Sequence, residues 1–190
     1  EISAEATDVM SMYGDAAVTL NNLGLSVSSG TPDFSKTSCS SGCEESTVGI
    51  YESQDDLGTT YYFRGAVENN YVYFANYYWR IIRINGDGGI RMIYDGTVPH
   101  DNGETSTDRQ IGTSAFNSSN NTSNAYVGYK YGNSSGTTYD ETHANTSNST
   151  IKQAIDSWYK TNISDKGFSS YLVDSIYCND RSLSSGSGIG

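Results

Sequence analysis

The chain has 190 residues, a formal net charge of −11 and only eleven Lys plus Arg residues. A chain this acidic repels phosphates, so we expect neither nucleic acid nor an anionic lipid surface as a partner. It has no run of about 20 apolar residues, the length that a membrane-spanning helix needs. Sixteen Tyr among many Ser, Thr, Asn and Gly are typical of extracellular modules, in which a tyrosine ring is half buried and its hydroxyl is wet.

The first predicted element is a helix over residues 3–23. Its apolar residues recur at three- and four-residue spacing, and Gly24 is a plausible stop signal. One interpretation is a stalk helix through which copies of the chain self-assemble. The other is an ordinary amphipathic helix packed on the domain, which such a stripe indicates more often. The stripe consists of Val9, Met10, Tyr13, Ala16, Ala17, Leu20 and Leu23.

Three cysteines leave one thiol unpaired or bonded outside the chain. Cys39 and Cys43 frame a short polar loop in the Ser/Gly-rich segment 26–46, and a disulfide between them is our first interpretation, since it fits an oxidising compartment. Zinc is the rival interpretation, but a lone Cys-x-x-x-Cys lacks the second ligand pair, so we predict no metal site. Cys178 is either a buried thiol or the partner of a cysteine outside this sequence.

Residues 60–95 are predicted to form an antiparallel β-meander of three or four strands. Runs of β-branched and aromatic residues alternate there with turn residues. In the third run, Ile81 would face one way and Ile82 and Ile84 the other, so this strand is expected to be covered on both faces. Segment 85–88 resembles half of a calcium loop but satisfies a hairpin turn better. The predicted strands are 61–67, 71–77, 78–84 and 90–94, and 48–51 would add a short one.

The second half of the chain alternates between a polar loop and helices. Residues 96–148 are predicted to form a long loop, and loops of that length are usually functional or mobile. Residues 150–163 form the clearest predicted helix, because Thr150 and Gln153 match a capping box and an apolar stripe follows them. A second short helix is predicted over 169–177.

Three sequence runs carry a resemblance to a known family: YYFRG at 61–65, YWRIIRINGDG at 78–88 and CNDRS at 178–182. Together they resemble an uncharacterised domain that recurs in surface proteins of Gram-positive gut bacteria. The resemblance covers residues 47–190. It implies a C-type-lectin-like fold, similar to that of bacterial major-paralogue domains, and a domain that continues beyond Gly190 to supply a partner for Cys178.

The sequence as a whole predicts an α+β fold, in which a β-meander with two or three helices follows an N-terminal helix. Its predicted segments are a helical segment over 1–25, a linker with the cysteine pair over 26–46 and a surface domain over 47–190.

For function, we expect a non-catalytic recognition or adhesion module located outside the cell or on its surface. It would bind a glycan or a host or bacterial surface protein, and the alternative is a structural subunit or stalk of a surface or pilus-like assembly. No enzyme and no cofactor are expected, since neither His100 nor His143 adjoins a recognisable nucleophile. The candidate ligand-binding residues, chosen because aromatic faces suit sugar stacking, are Tyr61, Tyr71, Tyr73 and Tyr77.

Overall fold

The computed structural model describes residues 7–8, 20–21, 23–34, 48–118, 126 and 128–174. The chain forms two compact units, Glu1–Ile111 and Gly112–Gly190. All three cysteines lie outside the described residues, so the predicted disulfide stays a prediction, as do the segment boundaries at 25 and 46. Within the described ranges, no helix is long and apolar enough to cross a membrane.

A largely antiparallel sheet of six strands forms the first unit, and the chain as a whole combines sheet with few helices in an α+β arrangement. Among the described strands, only the first pairs in parallel, with the fourth. The strands are β1 (Thr7–Asp8), β2 (Gly49–Asp55), β3 (Gly58–Arg64), β4 (Tyr71–Phe74), β5 (Tyr77–Ile84) and β6 (Ile90–Gly96).

Strand β5 is the centre of this sheet. One of its edges pairs with β6, while the other is divided between two strands. The first half of β5, up to Arg80, pairs with β4, and its last two residues, Arg83 and Ile84, pair with β3. The order therefore differs from a simple meander, because β3 and β4 follow each other in the chain but both pair with β5.

A β-bulge at Ile82 decides which face of β5 is buried. Residues three apart in a regular strand point to opposite faces, but the register with β6 skips Ile82 and returns Ile84 to the face of Ile81. Ile81 and Ile84 are fully buried, whereas Ile82 is 44% exposed. The prediction that β5 is covered on both faces is therefore wrong at Ile82, although Arg80 on the face opposite the core is buried. The core cluster on its covered face consists of Leu20, Ile50, Val67, Val72, Ile81 and Ile84.

The predicted N-terminal helix is only partly described. At Thr7 and Asp8 the prediction is wrong, because these residues form β1 and pair with β4. Leu20 is helical, and the helix ends at Gly24, which has a φ of +67°. The Leu25 amide donates to the Leu20 carbonyl at 3.0 Å, the bond of a Schellman motif. The stop predicted at Gly24 is confirmed, and residues 9–19 lie outside the described part.

In the second unit, the predicted helix over 150–163 is observed, but a different residue is its N-cap. Ser149 is the N-cap, and its hydroxyl accepts a bond from the Lys152 amide at 3.1 Å, so the capping box predicted at Thr150 is wrong. The helix predicted over 169–177 is a short 3₁₀ turn in its described part. The elements are β7 (Lys130–Tyr131), α1 (Tyr139–Thr142), β8 (Ser147–Asn148), α2 (Thr150–Tyr159), a π-helical turn (Lys160–Ser164) and a 3₁₀ turn (Phe168–Tyr171).

A two-residue turn that the sequence did not reveal joins β4 to β5. Ala75 and Asn76 have φ values of 54° and 68°, the pair of positive angles that defines a type I′ hairpin turn. The predicted strand 71–77 is therefore interrupted. This turn places Tyr73 opposite Tyr78 across the two strands.

Asn76→Val should lower the free energy of unfolding by about 1 kcal/mol, because a β-branched side chain is strained at positive φ. Asn76→Gly should be neutral or stabilising, since glycine is favoured there. Urea denaturation of both variants checks this, and equal stability of the two would contradict the turn assignment.

The carboxylate of Asp55 ties the β2–β3 turn to the β5–β6 turn. Its oxygens accept bonds from the Gly86 amide at 3.0 Å and the Leu57 amide at 2.8 Å. The Gly86 bond, followed by the Leu57 bond, lowers the pKa of this carboxyl. A Cβ on Gly86 would lie 2.4 Å from the Gly58 nitrogen, so the close approach of the two turns requires glycine.

The lowered pKa makes Asp55 a contributor to acid sensitivity. Its ionised form stabilises the fold above about pH 4, the usual Asp value, and the contribution is lost as the pH falls through the lower folded value. Asp55→Asn should therefore lower the thermal midpoint at pH 7 and reduce its fall on acidification. The exposed neighbour Asp56→Asn is the control, and an equal change in both variants would contradict this role.

Candidate ligand-binding face

The side of the main sheet opposite the core, here called the outer face, is rich in Tyr and Arg. Strand alternation and the two bulges assign its residues. Four of the six arginines in the sequence fall on it. Its members are Tyr51, Ser53, Asp55, Thr60, Tyr62, Arg64, Tyr71, Tyr73, Tyr78, Arg80, Arg83, Arg91, Ile93 and Asp95.

The four tyrosines predicted to bind a ligand divide between the two faces. Tyr71 and Tyr73 lie on the outer face, and Tyr73 is 38% exposed. Tyr61 packs against the hydrophobic core. Tyr77 lies on the core side of the sheet, with its ring centre 5.4 Å from that of Tyr94. The four therefore do not form one site.

Tyr78 is an outer-face aromatic that the sequence analysis missed. Its ring lies edge-on to that of Tyr73, with the centres 5.1 Å apart and the planes at 62°. Ile93, which is 57% exposed, lies diagonally from Tyr78 across β5 and β6. The turn at Ala75 and Asn76 brings Tyr78 opposite Tyr73. Recognising that turn in the sequence would have identified Tyr78 as a candidate residue.

A buried ion pair between Arg80 and Asp95 lies in the middle of the outer face. The Arg80 Nε donates to Asp95 Oδ2 at 3.0 Å, and Asp95 is 2% exposed. Arg109 reaches the other carboxylate oxygen at 2.8 Å through both Nε and Nη2. Asp95 is the extra residue of a bulge in β6, since the register with β5 skips it. Two guanidinium groups thus compensate one desolvated carboxylate.

Arg80 also holds the loop over residues 97–109 against this face. Its Nη1 donates to the Asn102 side chain at 2.8 Å, and its Nη2 donates to the His100 carbonyl at 2.5 Å. The guanidinium carbon lies 4.1 Å from the centre of the Tyr71 ring, a cation–π contact, and Nη2 also bonds the Tyr71 hydroxyl. The first part of the predicted polar loop is therefore fastened to the sheet.

His100 is enclosed in the same cluster, with its side chain 1% exposed. Its Nε2 lies 2.8 Å from Asp108 Oδ1, while its Nδ1 has no hydrogen-bond partner among the described residues and lies 4.0 Å from Asp95 Oδ2. Gly96 makes room for the ring, because a Cβ there would come within 2.7 Å of Cε1. A ring buried this deeply presents no surface to a substrate.

Asp108 completes the attachment of the loop. Partial desolvation is the largest single influence on its pKa and raises it, but bonds from the Thr97 amide, the His100 ring and the Thr97 hydroxyl together outweigh it. The pKa of Asp108 is therefore lowered, and the carboxylate is ionised at neutral pH. It accepts bonds from the Thr97 amide at 3.2 Å and the Thr97 hydroxyl at 3.1 Å.

Two further arginines lie directly opposite each other towards the other end of β5. Arg83 and Arg91 are register partners across β5 and β6, and both are partly exposed. On its other side, Arg83 pairs with Tyr62 of β3. Like charges directly opposite on a sheet repel each other. Hydrogen bonds from the Arg83 Nε to the Thr60 hydroxyl at 2.9 Å and from the Arg91 Nε to the Asn85 side chain at 3.1 Å orient the two side chains.

The described residues contain no cluster of three or more His, Cys, Asp and Glu that would hold a metal ion.

In the second unit, His143 stacks on Tyr139 with the ring centres 4.1 Å apart, and its Nδ1 lies 3.0 Å from the Tyr139 carbonyl. The outer face therefore offers a ligand aromatic surface, of which Tyr73 is 38% exposed.

Asp95→Asn should lower the free energy of unfolding by about 3 kcal/mol, because it leaves Arg80 buried without a countercharge. Asp101→Asn, an exposed change in the same loop, is the matched control and should alter stability by less than about 0.5 kcal/mol. Urea denaturation measures both, and a cost for Asp95→Asn as small as that of the control would show that the ion pair does not anchor the loop.

No family model, curated protein or solved structure matches the chain. The resemblance to surface domains of Gram-positive gut bacteria therefore stays a prediction.

Proposed function

We propose that this chain is a non-catalytic recognition module that binds carbohydrate through the outer face of its main sheet. The observation that carries the proposal is the pair formed by Tyr73 and Tyr78, two adjacent rings on the face that the core leaves uncovered. Aromatic rings of this kind combine apolar surface with a hydroxyl that stays wet, which suits a ligand with both apolar and hydroxylated faces.

The residues that hold Tyr73 and Tyr78 in place favour recognition by a preformed surface. Tyr73 and Tyr78 are register partners in a hairpin with a two-residue turn. The neighbouring Tyr71 is held under the guanidinium of Arg80. Aromatic side chains with few rotatable bonds lose little conformational entropy on binding, and a rigid sheet keeps that loss small.

The chemistry of the described residues supports binding rather than catalysis. His100 is enclosed between Asp108 and Asp95, and the carboxylate of Asp95 is neutralised by Arg80 and Arg109. General acid–base and nucleophilic mechanisms need such groups within reach of a substrate. Here they are used to attach a loop to the sheet.

An extracellular or cell-surface location is part of the proposal. It is supported by the acidic, Tyr-, Ser- and Asn-rich composition and by the resemblance noted above, which also favours a C-type-lectin-like domain. A protein ligand would use the same aromatic face. The alternative of a structural subunit depends on assembly through the predicted N-terminal helix, and residues 9–19 of that prediction lie outside the described part.

Tyr73→Ala and Tyr78→Ala should each weaken carbohydrate binding by about tenfold, since the loss of a ring at the centre of a contact costs more than about 1 kcal/mol. A glycan array would identify a ligand for the wild-type chain, and calorimetry would then compare the variants.

Tyr159→Ala is the matched control, because Tyr159 is 39% exposed, almost the same as Tyr73, but lies in the second unit. It should bind like the wild type. Absence of binding to every glycan on the array, or an equal loss in the control, would contradict the proposal.

A further inference from the structure

We propose that Asn102 is a site of spontaneous deamidation, at which the side-chain amide is lost and an aspartyl or isoaspartyl residue takes its place. The sequence contains two Asn-Gly pairs, Asn85-Gly86 and Asn102-Gly103. Deamidation favours such pairs, because glycine has no side chain to hinder the attack of its backbone nitrogen on the asparagine Cγ. The structure blocks this attack at Asn85 and leaves it open at Asn102. The inference does not depend on the proposed function.

At Asn85 the attacking nitrogen is held by a hydrogen bond. The Gly86 amide donates to Asp55 Oδ2 at 3.0 Å. The nitrogen has to lose this proton before it attacks, and a carboxylate beside it opposes the negative charge that the loss creates. Asn85 is also buried, at 9% exposure, and its amide donates to the Gly89 carbonyl at 2.8 Å. The reaction at Asn85 therefore requires the β5–β6 turn to open.

At Asn102 the corresponding nitrogen is accessible. Residues 101–103 are all exposed, and the Gly103 amide forms no hydrogen bond with any described residue. A single backbone bond, from the Glu104 amide to the Asp101 carbonyl at 3.2 Å, closes this turn. Exposed turns with so few bonds open locally while the strands stay intact. The Gly103 nitrogen can therefore reach the Asn102 side chain in the folded protein.

The side chain that is attacked is polarised by Arg80. The Arg80 Nη1 donates to Asn102 Oδ1 at 2.8 Å, and a donor at this oxygen stabilises the negative charge that develops there during the attack. The departing Nδ2 is held only by a 3.4 Å bond to the Val67 carbonyl. The Arg91 Nε makes a similar bond to Asn85 Oδ1. The two pairs therefore differ at the glycine nitrogen and not at the amide oxygen.

The reaction needs water as its only co-reactant. Solvent base removes the proton from the Gly103 nitrogen, which then forms a bond to the Asn102 Cγ. The bond from Cγ to Nδ2 breaks, and Nδ2 takes up a proton and leaves as ammonia. Water opens the resulting succinimide at either of its two carbonyls. Opening at Cγ gives an aspartyl residue, and opening at the main-chain carbonyl gives an isoaspartyl residue.

Either product changes a residue that attaches the loop over 97–109 to the sheet. Both replace the amide by a carboxylate, so the donor to the Val67 carbonyl is lost and one negative charge is added. The isoaspartyl product also routes the main chain through the Asn102 Cγ, which lengthens the turn by one carbon. Ageing of the protein would therefore alter the contact between this loop and Arg80.

The test follows both asparagines in one sample of the full chain, incubated at mildly alkaline pH below its melting temperature. Trypsin places Asn85 in peptide 84–91 and Asn102 in peptide 92–109, and neither peptide contains another asparagine. Mass spectrometry should show conversion of the amide to an acid in peptide 92–109, with both isomers present. Conversion in peptide 84–91 should be at least about tenfold slower, the factor that corresponds to breaking one hydrogen bond to a charged group. An unincubated sample corrects for conversion during digestion.

Two controls separate the fold from the local sequence. In guanidinium chloride both peptides should convert at similar rates, since neither glycine nitrogen is held there. Gly103→Asn should slow conversion at Asn102 and leave Asn85 unchanged, because its side chain hinders the attack while asparagine tolerates the φ of 84° at this position.

Three results would overturn the inference. The first is equal conversion of the two peptides in the folded chain, and the second is conversion of Asn102 in guanidinium chloride but not in the folded chain. The third is an aspartyl product without the isoaspartyl isomer, which would indicate direct hydrolysis of the amide instead of attack by Gly103.

Discussion

The ion pair between Arg80 and Asp95 imposes the strictest requirement on this structure, because both charges are buried. Desolvated charges are tolerated only when their hydrogen-bonding groups find partners. Arg80 meets that requirement with Asp95, Asn102, the Tyr71 ring and the His100 carbonyl. A bulge in β6 directs Asp95 towards Arg80. The hydrogen bonds from Arg80 to the loop over 97–109 satisfy the remaining donors of the same ion pair.

This polar network also shapes the surface that remains for a ligand. It occupies the middle of the outer face, with the aromatic pair Tyr73 and Tyr78 towards one end of β5 and the arginines 83 and 91 towards the other. The network carries charge but offers it to no ligand, since its carboxylates and guanidinium groups satisfy one another. The proposed recognition through Tyr73 and Tyr78 therefore lies beside the network rather than at its most highly charged point.

Much of the secondary structure could be predicted because it depends on local properties. The β-branched and aromatic runs predicted β3 to β6, Gly24 predicted the end of the first helix, and the apolar stripe after residue 150 predicted α2. Local signals failed where a competing contact was stronger. Ser149 replaced Thr150 as the N-cap, and Thr7 and Asp8 pair with β4 instead of continuing a helix.

The sequence by itself determined that this is an acidic, Tyr-rich chain with strands in its first half and a capped helix later. It could do so because composition is a property of the chain as a whole and periodicity is a property of neighbouring residues. Only the tertiary structure decided which tyrosines share a face. Alternation, the bulge at Ile82 and the turn at Ala75 and Asn76 separate Tyr61 and Tyr77 from Tyr71 and Tyr73. It also brought Arg83 opposite Arg91, since strand register is a property of pairs of residues distant in the chain.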